Sequence, residues 1–149
     1  MARKINYAGL NVIKQYEGCR LSAYQDVAGI WTIGYGHIKG VQAGMQMTQE
    51  QADQALADDL AGAENAVENA TQGVSTTDSQ FGAMVSLCFN IGSGNFRQSS
   101  VLREHRAGNT AAAGEAFLAW NKAHVNGQLQ EVAGLTRRRQ VERQLYLTA

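Results

Sequence analysis

Residues 17–37 read EGCRLSAYQDVAGIWTIGYGH. They place two carboxylates, Glu17 and Asp26, nine positions apart, and a hydroxyl, Thr32, six further on inside a glycine-rich run that ends in His37. Upstream, residues 6–17 read as a short helix with Leu10, Ile13 and Glu17 on one face, and Gly18 suits a helix end. Glu17 is then the last side chain of a packed helix. Residues 19–24 and 30–35 read as two strands joined by Gln25-Asp26-Val27-Ala28-Gly29, where Asp and Gly supply turn chemistry. On that hairpin Asp26 and Thr32 face each other across the turn. Two acids and one hydroxyl so arranged suggest hydrolysis.

A β-1,4 glycosidic bond breaks through an oxocarbenium-like transition state, which needs an acid for the leaving oxygen and a second carboxylate on the other face of the sugar. Inverting enzymes keep these groups roughly 6.5–9.5 Å apart, leaving room for a water, and retaining ones about 5–5.5 Å. A hydroxyl one hairpin pair from Asp26 suits a held water, because threonine both donates and accepts. The pattern favours inversion.

Downstream, residues 41–47 read as a third strand or a loop closing the small sheet. Thr48 and Gln51 form a capping box for a helix running to about Ala70. Its second face carries Glu50, Asp53, Asp58, Asp59, Glu64 and Glu68 with no basic residue, so it reads as solvated, and Gly62 weakens it by about 1 kcal/mol relative to Ala. A second capping box, Thr77 with Gln80, opens the most apolar helix, with Phe81, Met84, Val85, Cys88 and Phe89 in a wide stripe that Gly92 and Gly94 end. Three shorter helices follow over 100–106, 110–122 and 136–147, with Trp120 and Tyr146 as core anchors.

With 149 residues and 44% apolar content the chain can bury one good core, and it shows no internal repeat. Its longest apolar-rich run, 81–91, falls well short of the ~20 residues that span a bilayer. The start, MARKINYAGL, has no signal-peptide pattern, so the expectation is accumulation in the cytoplasm where the chain is made. Cys19 and Cys88 lack metal-ligand spacing and are read as thiols, each a small buried hydrophobe. Residues 1–76 hold five Lys/Arg against eight Asp/Glu, and residues 77–149 reverse these counts, so no net basic charge supports a nucleic-acid interface. The run Arg137-Arg138-Arg139 with Arg143 could meet carboxylate-bearing peptide stems or an anionic wall, or serve Glu142 and the last helical turn.

The spacing of Glu17, Asp26 and Thr32 ahead of TIGYGH at 32–37 resembles the catalytic signature of the phage-type lysozymes, glycoside hydrolase family 24, and especially the compact endolysins of lambdoid phages. The likeness continues through FNIG at 89–92, SSVLR at 99–103, AFLAW at 116–120 and GLTRRRQVERQLY at 134–146, and so covers nearly the whole chain. It implies an α+β lysozyme-like fold as one catalytic domain over 1–149. A sheet lobe at about 18–47 is joined by a helix at 48–70 to a helical lobe at 77–149, the helix at 6–17 contributes the acid, and a saccharide cleft lies between the lobes. It also implies hydrolysis of the β-1,4 bond from N-acetylmuramic acid to N-acetylglucosamine in peptidoglycan, with Glu17 as general acid and Asp26 and Thr32 positioning the water. Ile38, Phe89 and Asn90 are the substrate contacts it suggests, although core packing is the stronger reading of Phe89. No cofactor and no metal are expected.

The implied partner is the glycan strand of peptidoglycan, met by a monomer that waits in the host cytoplasm until a holin opens the membrane and then acts in the periplasm. His37 is read as structural, paired with Asp59 or Asp58, since two carboxylates already complete the reaction. Two other functions stay open at this level. A lytic transglycosylase would cut the same bond to an anhydro product and leave Asp26 and Thr32 redundant, and a wall-binding module would need neither acid.

Overall fold

The computed structural model describes residues 2–148. Its chain forms two compact units, Ile13–Ala61 and, together, Met1–Val12 with Gly62–Ala149. Two helices, α1 (Tyr7–Glu17) and α2 (Gln49–Ala70), run through the boundary.

Helix α1 begins where the Asn6 side chain accepts the Gly9 N–H at 3.0 Å, and it stops where the Gly18 N–H reaches Lys14 O at 3.1 Å. In the smaller unit it is followed by an antiparallel hairpin, β1 (Arg20–Gln25) and β2 (Trp31–Gly34), whose register pairs Arg20 with Gly34, Tyr24 with Thr32 and Gln25 with Trp31. Between Arg20 and Tyr24 β1 carries extra residues, and these bond the other way: Ala23 N–H donates to Met45 O and Met47 N–H to Leu21 O, both at 2.9 Å. Residues 41–47 are therefore a loop joined to the sheet by a single bridge, Ser22 with Gln46, and not a strand. Ile13, Ile33, Tyr35, Ala52, Leu56 and Leu60 are the unit's buried apolar side chains. Cys19 lies exposed at the start of the hairpin, just past the helix end, which overturns its reading as a buried hydrophobe.

The Thr48–Gln51 capping box forms as expected, with bonds of 2.9 and 3.1 Å. Helix α2 then runs 22 residues without a break at Gly62. Its acidic face is not uniformly solvated, however. Glu64 is buried and accepts the Ile5 N–H at 2.8 Å with Lys4 Nζ at 3.5 Å, while Glu68 accepts the Arg3 N–H at 3.0 Å. The partners come from the N-terminal segment, some sixty residues away in sequence, which is why the helix alone showed no basic residue.

In the larger unit α3 (Asp78–Ile91) carries the second capping box and is buried continuously from Phe81 to Cys88. Where α1 meets it, Gly9 and Gly82 touch so closely that a Cβ on Gly9 would lie 2.8 Å from Gly82 Cα. Phe89 is only half-buried at the end of α3, so it is not core. Helices α4 (Ser93–Arg97) and α5 (Ser100–Arg106) follow, the first unforeseen and the second at its expected bounds. The expected helix over 110–122 is shorter: α6 (Thr110–Ala116) tightens into a 3₁₀ turn, Phe117–Ala119, and Trp120 lies half-exposed rather than in the core. A hairpin the sequence reading missed, β3 (Lys122–Val125) and β4 (Gln128–Glu131), turns through Asn126 and Gly127 at φ 52° and 80°. Helix α7 (Ala133–Tyr146) starts three residues earlier than expected.

The arginine run resolves here. Arg138 and Arg139 are 3% and 0% exposed, with Nε atoms 3.2 and 2.8 Å from the two oxygens of the fully buried Glu142. The Ser86 hydroxyl donates to the same carboxylate, and Arg138 Nη2 donates to Ser86 O at 3.2 Å. Burial pushes the Glu142 carboxyl up, and the two guanidiniums oppose it. Removing the carboxylate would strand two buried cations, at about 3–5 kcal/mol. These two arginines serve the fold, and Arg137 alone of the run is exposed.

Nearby, buried His105 links α5 to α7 and to the segment before α3, with Nε2 2.8 Å from Thr76 Oγ1 and Nδ1 2.6 Å from the Tyr146 hydroxyl. Burial, aided by Arg106, lowers the His105 pKa from 6.5, and burial raises Tyr146 from 10.0 to about 12. Both shifts favour the neutral forms in the folded chain. His105 therefore contributes stability that is present above pH 6.5 and lost as pH falls through its depressed value, and Tyr146 contributes stability that is lost as pH rises from 10 through about 12. Urea midpoints measured across pH should fall at both ends, and His105→Asn should flatten the limb below pH 6.5. An unchanged acid limb in that variant would show that His105 does not set it.

Candidate active site

The segment TIGYGH owes its geometry to a tight loop in which Ile33 and His37 exchange both backbone hydrogen bonds at 2.9 Å. Closing so short a loop puts Gly34 at φ +63° and Gly36 at φ +73°, where a side chain is strained. Space matters as well. A Cβ on Gly34 would meet Met47 Sδ at 3.1 Å, and one on Gly36 would meet Glu17 Oε1 at 3.1 Å. The half-buried Glu17 carboxylate at the end of α1 thus rests against the bare backbone of this loop.

Asp26 closes the other end of the hairpin. Its Oδ1 accepts the N–H groups of Ala28 at 2.8 Å and Ile30 at 2.9 Å, and its backbone bonds Ile30 O and the Gly29 N–H, both at 2.9 Å. One carboxylate oxygen is thereby fixed by the turn, which aims the other. Thr32 pairs with Tyr24 rather than standing opposite Asp26, so the expected face-to-face arrangement is corrected to a diagonal one, in which neighbours are typically about 7–8 Å apart and their Cβ atoms somewhat closer. The Thr32 side chain is 4% exposed, and its hydroxyl donates to Ile30 O at 2.9 Å, so its lone pairs are what it offers a third group.

His37 Nδ1 lies 2.8 Å from Asp59 Oδ2, tying the loop to α2, whereas Asp58 accepts from Gln54. A network that the sequence reading missed completes the frame: Lys14 Nζ sits 3.3 Å from Asp53 Oδ1 and over the Tyr35 ring, and Gln49 donates to both Asp53 and the Tyr35 hydroxyl. The Gln49 hydrogen bond, with Lys14, holds the Asp53 carboxyl below its usual range. Its only sequence signal is the i, i+4 spacing of Gln49 and Asp53 on one helix face.

Glu17, Asp26, Thr32, His37 and the exposed Ile38 all belong to the smaller unit. Phe89 and Asn90 belong to the larger one, where Asn90 Oδ1 accepts from Arg139 Nη2 at 2.9 Å. Asn90 there lines a depression of about 420 Å³ with Asn95, Trp120, Lys122 and Leu135, of which Trp120 had been read as core. Among the described residues no group of three or more His, Cys, Asp or Glu is placed to hold a metal ion.

Two glycine substitutions contrast a constrained position with an unconstrained one. Gly36→Ala should lose about 1–2 kcal/mol in urea unfolding and displace the Glu17 carboxylate. Gly62→Ala, on a helix with open space around it, should gain up to about 1 kcal/mol. Equal effects would show that the loop geometry is not the constraint.

The family model described as Phage lysozyme matches residues 14–142. The endolysin of Acyrthosiphon pisum secondary endosymbiont phage 1 is 43% identical over 145 residues, covering 97% of this chain and 99% of the relative. The endolysin of Bacillus phage B103 is 39% identical over 147 residues, of which this chain spans 54% of the length. Among solved structures, the muramidase domain of SpmX from Asticaccaulis excentricus superposes with a TM-score of 0.91 at 43% identity over 99% of both chains. The endolysin from Escherichia coli O157:H7 phage FAHEc1 does so with a TM-score of 0.93 at 40% identity, over 99% of this chain and 95% of that one. These likenesses agree with the α+β lysozyme-like fold, and the chain belongs to the phage lysozyme family.

Proposed function

We propose that the chain is one endolysin domain that hydrolyses the β-1,4 bond between N-acetylmuramic acid and N-acetylglucosamine in peptidoglycan, with Glu17 as general acid and Asp26 and Thr32 holding the attacking water. The observation that carries the reading is the division of labour on the hairpin. One Asp26 oxygen is locked by two backbone N–H groups, and the Thr32 hydroxyl has already donated its proton to Ile30 O. A water that donates to the outer Asp26 oxygen and to the Thr32 lone pairs keeps its own lone pair directed at the sugar.

Glu17 gives its proton to the departing N-acetylglucosamine oxygen as the glycosidic bond breaks. The water oxygen bonds the muramic acid C1 from the opposite face while Asp26 takes its proton, so the new reducing end has inverted configuration. A transglycosylase would leave the Asp26–Thr32 arrangement without a task. Ile38, Phe89 and Asn90 are the candidate saccharide contacts of this reading, with Asn90 oriented by Arg139. The family resemblance extends the reading to a monomer held in the host cytoplasm until a holin gives it access to the wall. No helix among the described residues is long and apolar enough to cross a membrane.

Glu17→Gln should remain folded and lose about 10²–10⁴-fold in turnover on purified sacculi, because the amide keeps the shape without a transferable proton. NMR of the sugar released in the first minutes should show the inverted anomer. Retained configuration with an adduct on Asp26 would make Asp26 a nucleophile, and 1,6-anhydro ends would make the enzyme a transglycosylase.

A further inference from the structure

Arg20 is exposed at the start of β1, and its guanidinium carbon lies 4.4 Å from the centroid of the Tyr24 ring. Stacking occupies the face of the guanidinium plane and fixes its orientation, while the N–H donors point outward around the rim. Among the described residues none accepts a hydrogen bond from them and no carboxylate pairs with Arg20, in contrast to Arg138 and Arg139, which pair with Glu142. The strand from Arg20 to Tyr24 lines a depression of about 380 Å³. Tyr24 is also the residue paired with Thr32, so the stack shares the sheet face of the water-holding hydroxyl, and Asp26 follows two residues later. A preoriented, uncompensated guanidinium on that face suits a planar anion that arrives with the substrate.

On the reading of the chain as a peptidoglycan hydrolase, on which this inference rests, such an anion is at hand, because muramic acid carries a peptide stem with free carboxylates. We propose that Arg20, held by the Tyr24 ring, receives a carboxylate of that stem and so makes Arg20 a specificity-determining residue for stem-bearing glycan. The two groups form a fork-on-fork pair with two parallel N–H···O bonds, which a lysine cannot reproduce. Carboxylate recognition thus falls to strand β1 rather than to the run at 137–139 on α7.

The test compares purified sacculi that carry stems with the same glycan stripped of peptide by an amidase and with the lactyl carboxylates so exposed capped as methylamides. Arg20→Gln should raise KM on the stem-bearing glycan about tenfold with kcat unchanged. On stripped glycan its KM should stay at the wild-type value, which also shows that the variant is folded. Arg20→Lys should recover part of the loss, and Tyr24→Leu, which removes the ring, should reproduce it. Added salt should raise the wild-type KM on stem-bearing glycan alone. An equal KM rise on both glycans, or none on either, overturns the stem contact while leaving the hydrolase standing. Failure of the wild type to cut either glycan overturns the hydrolase and this inference together.

Discussion

The backbone loop from Ile33 to His37 is the constraint on which the smaller unit turns. Two hydrogen bonds close it over three residues, and that closure needs left-handed backbone at Gly34 and Gly36. From it Thr32 is drawn inward, His37 is brought to Asp59, Gly34 is set against Met47 and Ala52, and a bare backbone surface is left for the Glu17 carboxylate. The groups proposed to do chemistry are thus held by main-chain geometry, and the side-chain network of Lys14, Asp53, Gln49 and Tyr35 braces them. Placement of this kind resists the small displacements that cost most in catalysis.

The larger unit solves another problem, the burial of charge. Glu142 faces two arginines and a serine, and Glu64 faces a backbone N–H and Lys4. Each carboxylate meets partners from a distant part of the chain, α3 for Glu142 and the N-terminal segment for Glu64. A buried pair of this type adds little over a well-packed apolar core, yet it strongly penalises any arrangement that separates the partners. For Glu64 the charge ties α2 to the N-terminal segment, whereas for Glu142 both arginines lie on its own helix and Ser86 supplies the tie to α3.

Much of this was legible in the sequence, for local reasons. Both capping boxes, the Gly18 helix end and the β1–β2 hairpin rest on contacts within a few residues, and the pattern of Glu17, Asp26 and Thr32 lies inside one short motif. What escaped depended on distance or on a signal passed over. Glu64 looks solvated because its partners are far away in sequence, and although Glu142 stands within one helical turn of Arg138 and Arg139, the Ser86 contact that completes the buried cluster comes from a distant helix. Cys19 is a small apolar residue by type, yet it follows a helix end that leaves it exposed. Asn126-Gly127, the dipeptide that suits a two-residue turn, announces the β3–β4 hairpin, but the apolar pattern over 110–122 reads as one helix into its first strand.

That hairpin stands apart in its energetics. Its strands, Lys122–Val125 and Gln128–Glu131, are almost wholly exposed, and a two-stranded ribbon without a packed face is marginal in water. It can open locally without disturbing the buried helices behind it, so its tip at Asn126-Gly127 is a place where extra sequence, such as a wall-targeting module or a fluorescent reporter, could be spliced in with the rest of the molecule left as it is.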